Sequence, residues 1–109
     1  MKALNPREAV RQAHPAHGRP AMTMLADSAD ARLLVFRFEP GQSLPPHRNG
    51  STVIVTVLEG EGVFSGAEGE QQCAAGQVMT YAPSELHGIR ALDAELLVLV
   101  TIAPSPGSR

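Results

Sequence analysis

The sequence predicts an all-β fold, a small sandwich or barrel with one short helix at its N-terminus. Three observations predict it. From Ala21 onward, runs rich in Val, Ile, Leu and Thr alternate with turn signals at intervals of about eight to twelve residues. Only one segment carries helix signals. A chain of 109 residues, 43% of them hydrophobic, suffices for one domain with a single modest core.

The helix comes first. Asn5 is a good N-cap, Pro6 suits the first helical position, and Glu8 stands where a carboxylate favours the positive end of the helix dipole. Ala9, Val10 and Ala13 give it an apolar stripe, and His14-Pro15 stops it because proline disfavours helical geometry in the residue before it. His14 and His17 follow in a loop and read as solvated side chains rather than a chelating pair. The expected strands are then Met22–Leu25, Arg32–Phe38, Thr52–Leu58, Val63–Phe64, Gln71–Cys73, Gln77–Ala82, His87–Ala91 and Leu96–Ile102. Pro40-Gly41, Glu59-Gly60-Glu61-Gly62 and Ser65-Gly66-Ala67-Glu68-Gly69 supply turns between them. Residues 1–20 are thus expected to form the helix and its loop, 21–104 the barrel, and 105–109 a disordered tail.

Composition narrows the function. A formal charge of -2 with no basic cluster excludes nucleic acid as a partner, since phosphate binding rests on grouped cations. Cys73 is the single cysteine, so no internal disulfide forms, and its Gln and Ala flanks suit a small apolar side chain in a strand. No apolar run approaches the roughly 20 residues needed to span a bilayer. The N-terminus lacks the apolar stretch of a secretory leader, so no membrane partner is expected and a cytoplasmic protein is. Leu96-Leu97-Val98-Leu99-Val100 is apolar on both faces, and Ile54 and Leu58 add to the outer side of a central strand. Either the N-terminal segment or a second subunit must cover that side; a homodimer is the expectation.

The residues that carry chemistry lie in two glycine-led segments. The first is Gly41, then Gln42 to Pro46, His47-Arg48-Asn49, three residues, Val53, and Gly60 six residues later. The second is Gly76, Gln77 to Tyr81, Ala82-Pro83-Ser84, two residues and His87. These segments resemble the two motifs of the cupin superfamily, and the resemblance extends from Pro40-Gly41 to Pro104. It implies a single-domain jelly-roll barrel (a double-stranded β-helix). Of the four positions that usually bind metal in that family, His47 and His87 match; Asn49 replaces a histidine and Val53 the glutamate.

Physical chemistry of the residues bears on what such a site can hold. Gly41 and Gly60 sit where turns can demand positive φ, Gly76 opens the return strand, and Pro45-Pro46 stiffens the approach to His47. Catalytic transition-metal sites generally use at least three protein ligands, whereas Asn49 offers a neutral amide and Val53 nothing. By alternation Val53, Val55 and Val57 wall the site with apolar surface, where an uncompensated dication is costly. Thr80 and Glu85 are further candidate donors without family support. Met22, Met24 and Met79 read as core filling, Arg32, Arg37 and Arg90 as solvated, and Tyr81 as facing outward with Met79 and Gln77.

The expected function is binding of a small organic molecule in an apolar barrel pocket bounded by His47, Asn49, Val53 and His87, with metal at most weakly held. The alternative is a metal-dependent cupin enzyme, a dioxygenase, isomerase or decarboxylase acting on a small acid or carbonyl compound. There His47 and His87 would hold one divalent transition metal, Fe, Mn, Ni or Zn. A third reading is an interaction module using its outer sheet.

Overall fold

The computed structural model describes residues 1–15 and 17–107. Ser108 and Arg109, at the end of the expected tail, lie outside the described residues. The helix α1 spans Pro6–Arg11, with the Asn5 side chain accepting from the Glu8 N–H at 3.1 Å. It stops short of the His14-Pro15 boundary, and the loop leaves His14 and His17 exposed.

Nine strands follow among the described residues: β1 Ala21–Asp27, β2 Arg32–Phe38, β3 Ser43–His47, β4 Thr52–Glu59, β5 Glu61–Gly66, β6 Gly69–Ala74, β7 Val78–Tyr81, β8 His87–Ala91 and β9 Leu96–Ala103. They form two antiparallel sheets, one of five strands ordered β1-β2-β9-β4-β7 and one of four ordered β3-β8-β5-β6. This is the predicted jelly-roll architecture. The strand absent from the sequence reading is β3, Ser-Leu-Pro-Pro-His. Its two prolines argue against a strand, yet among the described residues β3 pairs only with β8, and an edge position tolerates residues that cannot donate to a ladder. Its register breaks between Leu44 and His47, across those prolines.

The core lies between the sheets. Phe38, Val55, Val57, Leu96 and Val98 are at most 1% exposed and meet Phe64, Cys73, Ile89 and Ala91 of the facing sheet. Each fully buried aliphatic side chain contributes about 1.5–3 kcal/mol, so this interface dominates folding. Period-two alternation places Val53, Val55 and Val57 inward as expected.

A smaller cluster explains the double-sided apolarity of β9. Val10 of α1 packs on Ala21, Val35 and Leu97 on the outer face of the five-stranded sheet. Arg7 holds the helix there through Glu59 and the Leu58 carbonyl. These are exposed contacts, worth less than about 1 kcal/mol each, so the burial of Val10 does most of the anchoring. The N-terminal segment therefore covers one part of the outer face.

The expected tail departs from expectation at its start. Ser105 is 2% exposed; its hydroxyl donates to Asp27 at 2.9 Å, while Ser51 donates to the Pro104 carbonyl at 2.6 Å. Composition marks these residues as loop, but a serine hydroxyl beside a carboxylate is enough to dock them. Asp27 also accepts from Arg32, and the two donors hold its carboxyl below the usual range.

Candidate functional site

His47 ends β3 and His87 begins β8, and the two are direct cross-strand partners. Opposed residues in an antiparallel pair share a face, so both imidazoles stand on the same side of the sheet. Their ring centroids are 4.3 Å apart with planes inclined at 54°. Gly88 makes this approach possible. A Cβ there would lie 3.0 Å from Ser65 Oγ, 3.2 Å from Pro46 N and 3.3 Å from Leu44 O, so any side chain would press β3 away from β8.

Main-chain carbonyls fix both tautomers. His47 Nδ1 lies 3.1 Å from the Pro45 oxygen and His87 Nδ1 lies 2.9 Å from the Glu85 oxygen. A carbonyl only accepts, so each Nδ1 carries a proton, and in the neutral ring Nε2 keeps its lone pair. His87 is 5% exposed, and burial pushes its pKa below the ordinary value. The hydrogen bond to the Glu85 carbonyl opposes that shift and the neighbouring His47 adds to it. His47 itself stays exposed at the mouth.

Tyr81 stacks on His87 with centroids 4.7 Å apart and planes within 28°. This corrects the outward placement expected for Tyr81. In the observed register Tyr81 opposes Val53 and Met79 opposes Val55, so both share the inward face of β4, while Thr80 and Val78 face out. Burial, with smaller contributions from Glu85 and Cys73, pushes the phenol up to about 12. Thr80 is thereby excluded as a donor to the site.

Glu85 is turned away from it too. Its carboxylate accepts from the main-chain N–H groups of Ala67 and Ala82, each at 3.0 Å, and these bonds hold its pKa low. Its role is positional: the side chain ties the β5–β6 hairpin to the β7–β8 loop, and its carbonyl orients His87. Gly66 leaves room for it, since a Cβ there would lie 2.8 Å from Glu85 Oε2 and 3.3 Å from the Tyr81 ring.

The remaining two motif positions are Asn49 and Val53. Asn49 Oδ1 accepts from Ser51 N at 2.8 Å, and its main-chain oxygen accepts from Ser84 N at 2.6 Å. Ser84 holds φ at 67°, a left-handed conformation ordinarily left to glycine. Val53 is 2% exposed. Together with the imidazoles, these residues border a narrow cavity of about 90 Å³ whose walls include Leu34, Phe36, Val55, Val100 and Ile102. A broader groove of about 940 Å³ runs outside it, lined by Arg48, Met79, Tyr81 and Glu85 among others.

This donor set does not fit a tightly held transition metal. Two imidazoles converge, but the amide oxygen of Asn49 is engaged by Ser51 and Val53 is a hydrocarbon. Among the described residues, no three His, Cys, Asp or Glu side chains come together. Sequence reasoning misses the positions that Tyr81, Ser84 and Gly88 take at the site, and the positioning part played by Glu85. Only Gly88, a glycine directly after a strand histidine, leaves a signal that close-approach reasoning could use.

Two antiparallel sheets rolled into a barrel, with paired histidines at the mouth of an apolar cavity, define a small jelly-roll domain. The chain belongs to the cupin family, whose cupin domain profile matches residues 34–103. It is similar to TT1209 from Thermus thermophilus, with a TM-score of 0.87 and 26% identity over 97% of this chain and 100% of that one. An RmlC-like cupin from Desulfovibrio desulfuricans superposes with a TM-score of 0.80 and 33% identity over 95% and 97% of the two chains. KdgF from Halomonas shares the fold, with a TM-score of 0.81 and 18% identity over 88% of each chain. Comparison with curated protein sequences finds no match.

Proposed function

We propose that this cupin binds a small organic molecule in the apolar cavity beneath His47, Asn49 and His87, and that it does so without a tightly held metal. One observation carries the reading: the imidazoles meet over hydrocarbon walls, while the other two motif positions offer an engaged amide and a valine. A ligand cavity with apolar walls and a few converging polar atoms is the usual form of a small-molecule site. A cytoplasmic homodimer belongs to the same proposal. Its support is the outer face of β4, β7 and β9, where Ile54, Leu99 and Val78 lie beyond the patch that α1 covers.

The convergence of two histidines favours a second reading, a metal-dependent enzyme acting on a small acid or carbonyl compound. Elemental analysis of protein purified without chelator separates the two. The first reading expects metal well below one equivalent per chain. Near-stoichiometric Fe, Mn, Ni or Zn that disappears in a His47→Ala/His87→Ala variant would overturn it in favour of the second. For the dimer, a solution mass equal to one chain at micromolar concentration is the contrary result.

A further inference from the structure

We infer that the cavity selects an uncharged, hydrogen-bond-donating aliphatic molecule of about four or five heavy atoms, a short alcohol. The inference rests on the apolar-cavity reading and adds the class of ligand. Size sets the first limit. The cavity of about 90 Å³ is smaller than the roughly 150 Å³ apolar cavity that accommodates benzene. A six-membered ring is therefore too large to sit wholly within it.

Charge sets the second limit. Among the described residues no Lys or Arg lines the cavity, and its walls are aliphatic apart from Phe36 and the polar mouth. A carboxylate or ammonium group entering it would leave water without an opposite charge to meet.

Hydrogen-bond polarity sets the third. The Nδ1 protons of His47 and His87 are consumed by the Pro45 and Glu85 carbonyls. In the neutral rings the nitrogens left for a ligand are two acceptors, and Asn49 Oδ1 already accepts from Ser51 N. A ketone or ether brings a further acceptor and leaves the Nε2 of buried His87 unpaired. A hydroxyl donates to one of them while its alkyl part fills the aliphatic walls. The geometry that fixes the tautomers therefore also fixes the preferred head group.

The test uses the full chain and probes matched in size: 2-butanol, 2-butanone and propionate, each of five heavy atoms, with xenon as a probe of the cavity that lacks any head group. Binding is followed in the millimolar range by chemical-shift titration. The expected result is a preference of about tenfold for 2-butanol over both competitors, the usual penalty for leaving buried polar atoms unpaired. His87→Phe, or His47→Phe should the first fail to fold, is expected to abolish that preference while xenon still enters. Equal binding of 2-butanone or propionate in the native chain would overturn the inference and leave the cavity reading standing. Exclusion of both xenon and the alcohol would overturn the two together.

Discussion

Val53→Glu places a carboxylate where the cupin motif has its glutamate, on a wall that is hydrocarbon here. Val53 is 2% exposed and borders the cavity with Val55 and Ile102. An acid buried in such surroundings has its pKa raised by about 3–5 units from an ordinary value near 4.3. At pH 7 the variant must either bury a charge or bind a proton that the unfolded chain does not. The cost of the latter is about 3–4 kcal/mol, reduced to roughly 2–3 kcal/mol if an imidazole takes the proton and pairs with the carboxylate. In a domain of this size that lowers the melting temperature by roughly 8–16 °C. The sign follows from the raised folded pKa: the penalty vanishes below about pH 4, where both states are protonated, and grows as pH rises. A divalent metal should restore stability at pH 7, because the variant supplies two histidines and a carboxylate on one site. Melting curves at pH 4 and pH 7, with and without manganese or zinc, measure all of this. A variant as stable as the native chain at pH 7 without metal would refute the apolar wall.

Three further perturbations have defined outcomes. Tyr81 is the chain's single tyrosine and there is no tryptophan, so an absorbance titration reads this phenol alone. Its midpoint should lie near 12, with stability intact below about pH 10 and declining above it, and a midpoint near 10 in folded protein would contradict the stacked, buried placement. Ser84→Gly relieves a left-handed serine that costs about 1–2 kcal/mol, offset by about 0.5–1 kcal/mol of added chain entropy. The melting temperature should rise by a few degrees, and a fall would argue against that backbone conformation. Gly88→Ala should cost about 1–3 kcal/mol by overpacking and weaken the nuclear Overhauser contact between the two imidazoles, since its Cβ would meet main-chain atoms of β3. An unchanged contact would mean that β3 does not need the glycine.

The fold was legible because its signals are local. Arg32–Phe38 and His87–Ala91 are observed at the boundaries their alternation and flanking turns predict, and the Asn5-Pro6 cap marks the helix start. Gly41, Gly60 and Gly76 all adopt positive φ at their turns. Illegible features depend on partners far along the chain. Local propensity argues against β3, and only its edge position beside β8 reconciles Pro45 and Pro46 with a strand. Alternation groups Tyr81 with Met79, but which face they take is set by the β4–β7 register, which no local pattern encodes. Glu85 stands two residues before His87 and invites a ligand role. Hydrogen bonds to Ala67 and Ala82 turn its side chain elsewhere. At the site, the motif spacing singles out His47 and His87; the tautomers that set their chemistry depend on carbonyls visible only in three dimensions.

Long-range proton–nitrogen correlation spectra of the four imidazoles give the most direct reading of the pair at the cavity mouth. For His87, whose pKa burial lowers, they should show a neutral ring at pH 7.5 (about one unit above the ordinary histidine value), protonated at Nδ1 and bare at Nε2; for His47 they should show a proton on Nδ1, with an Overhauser contact between the rings. A proton on His87 Nε2, a bare Nδ1 on either ring, or rings with no contact, would contradict the account.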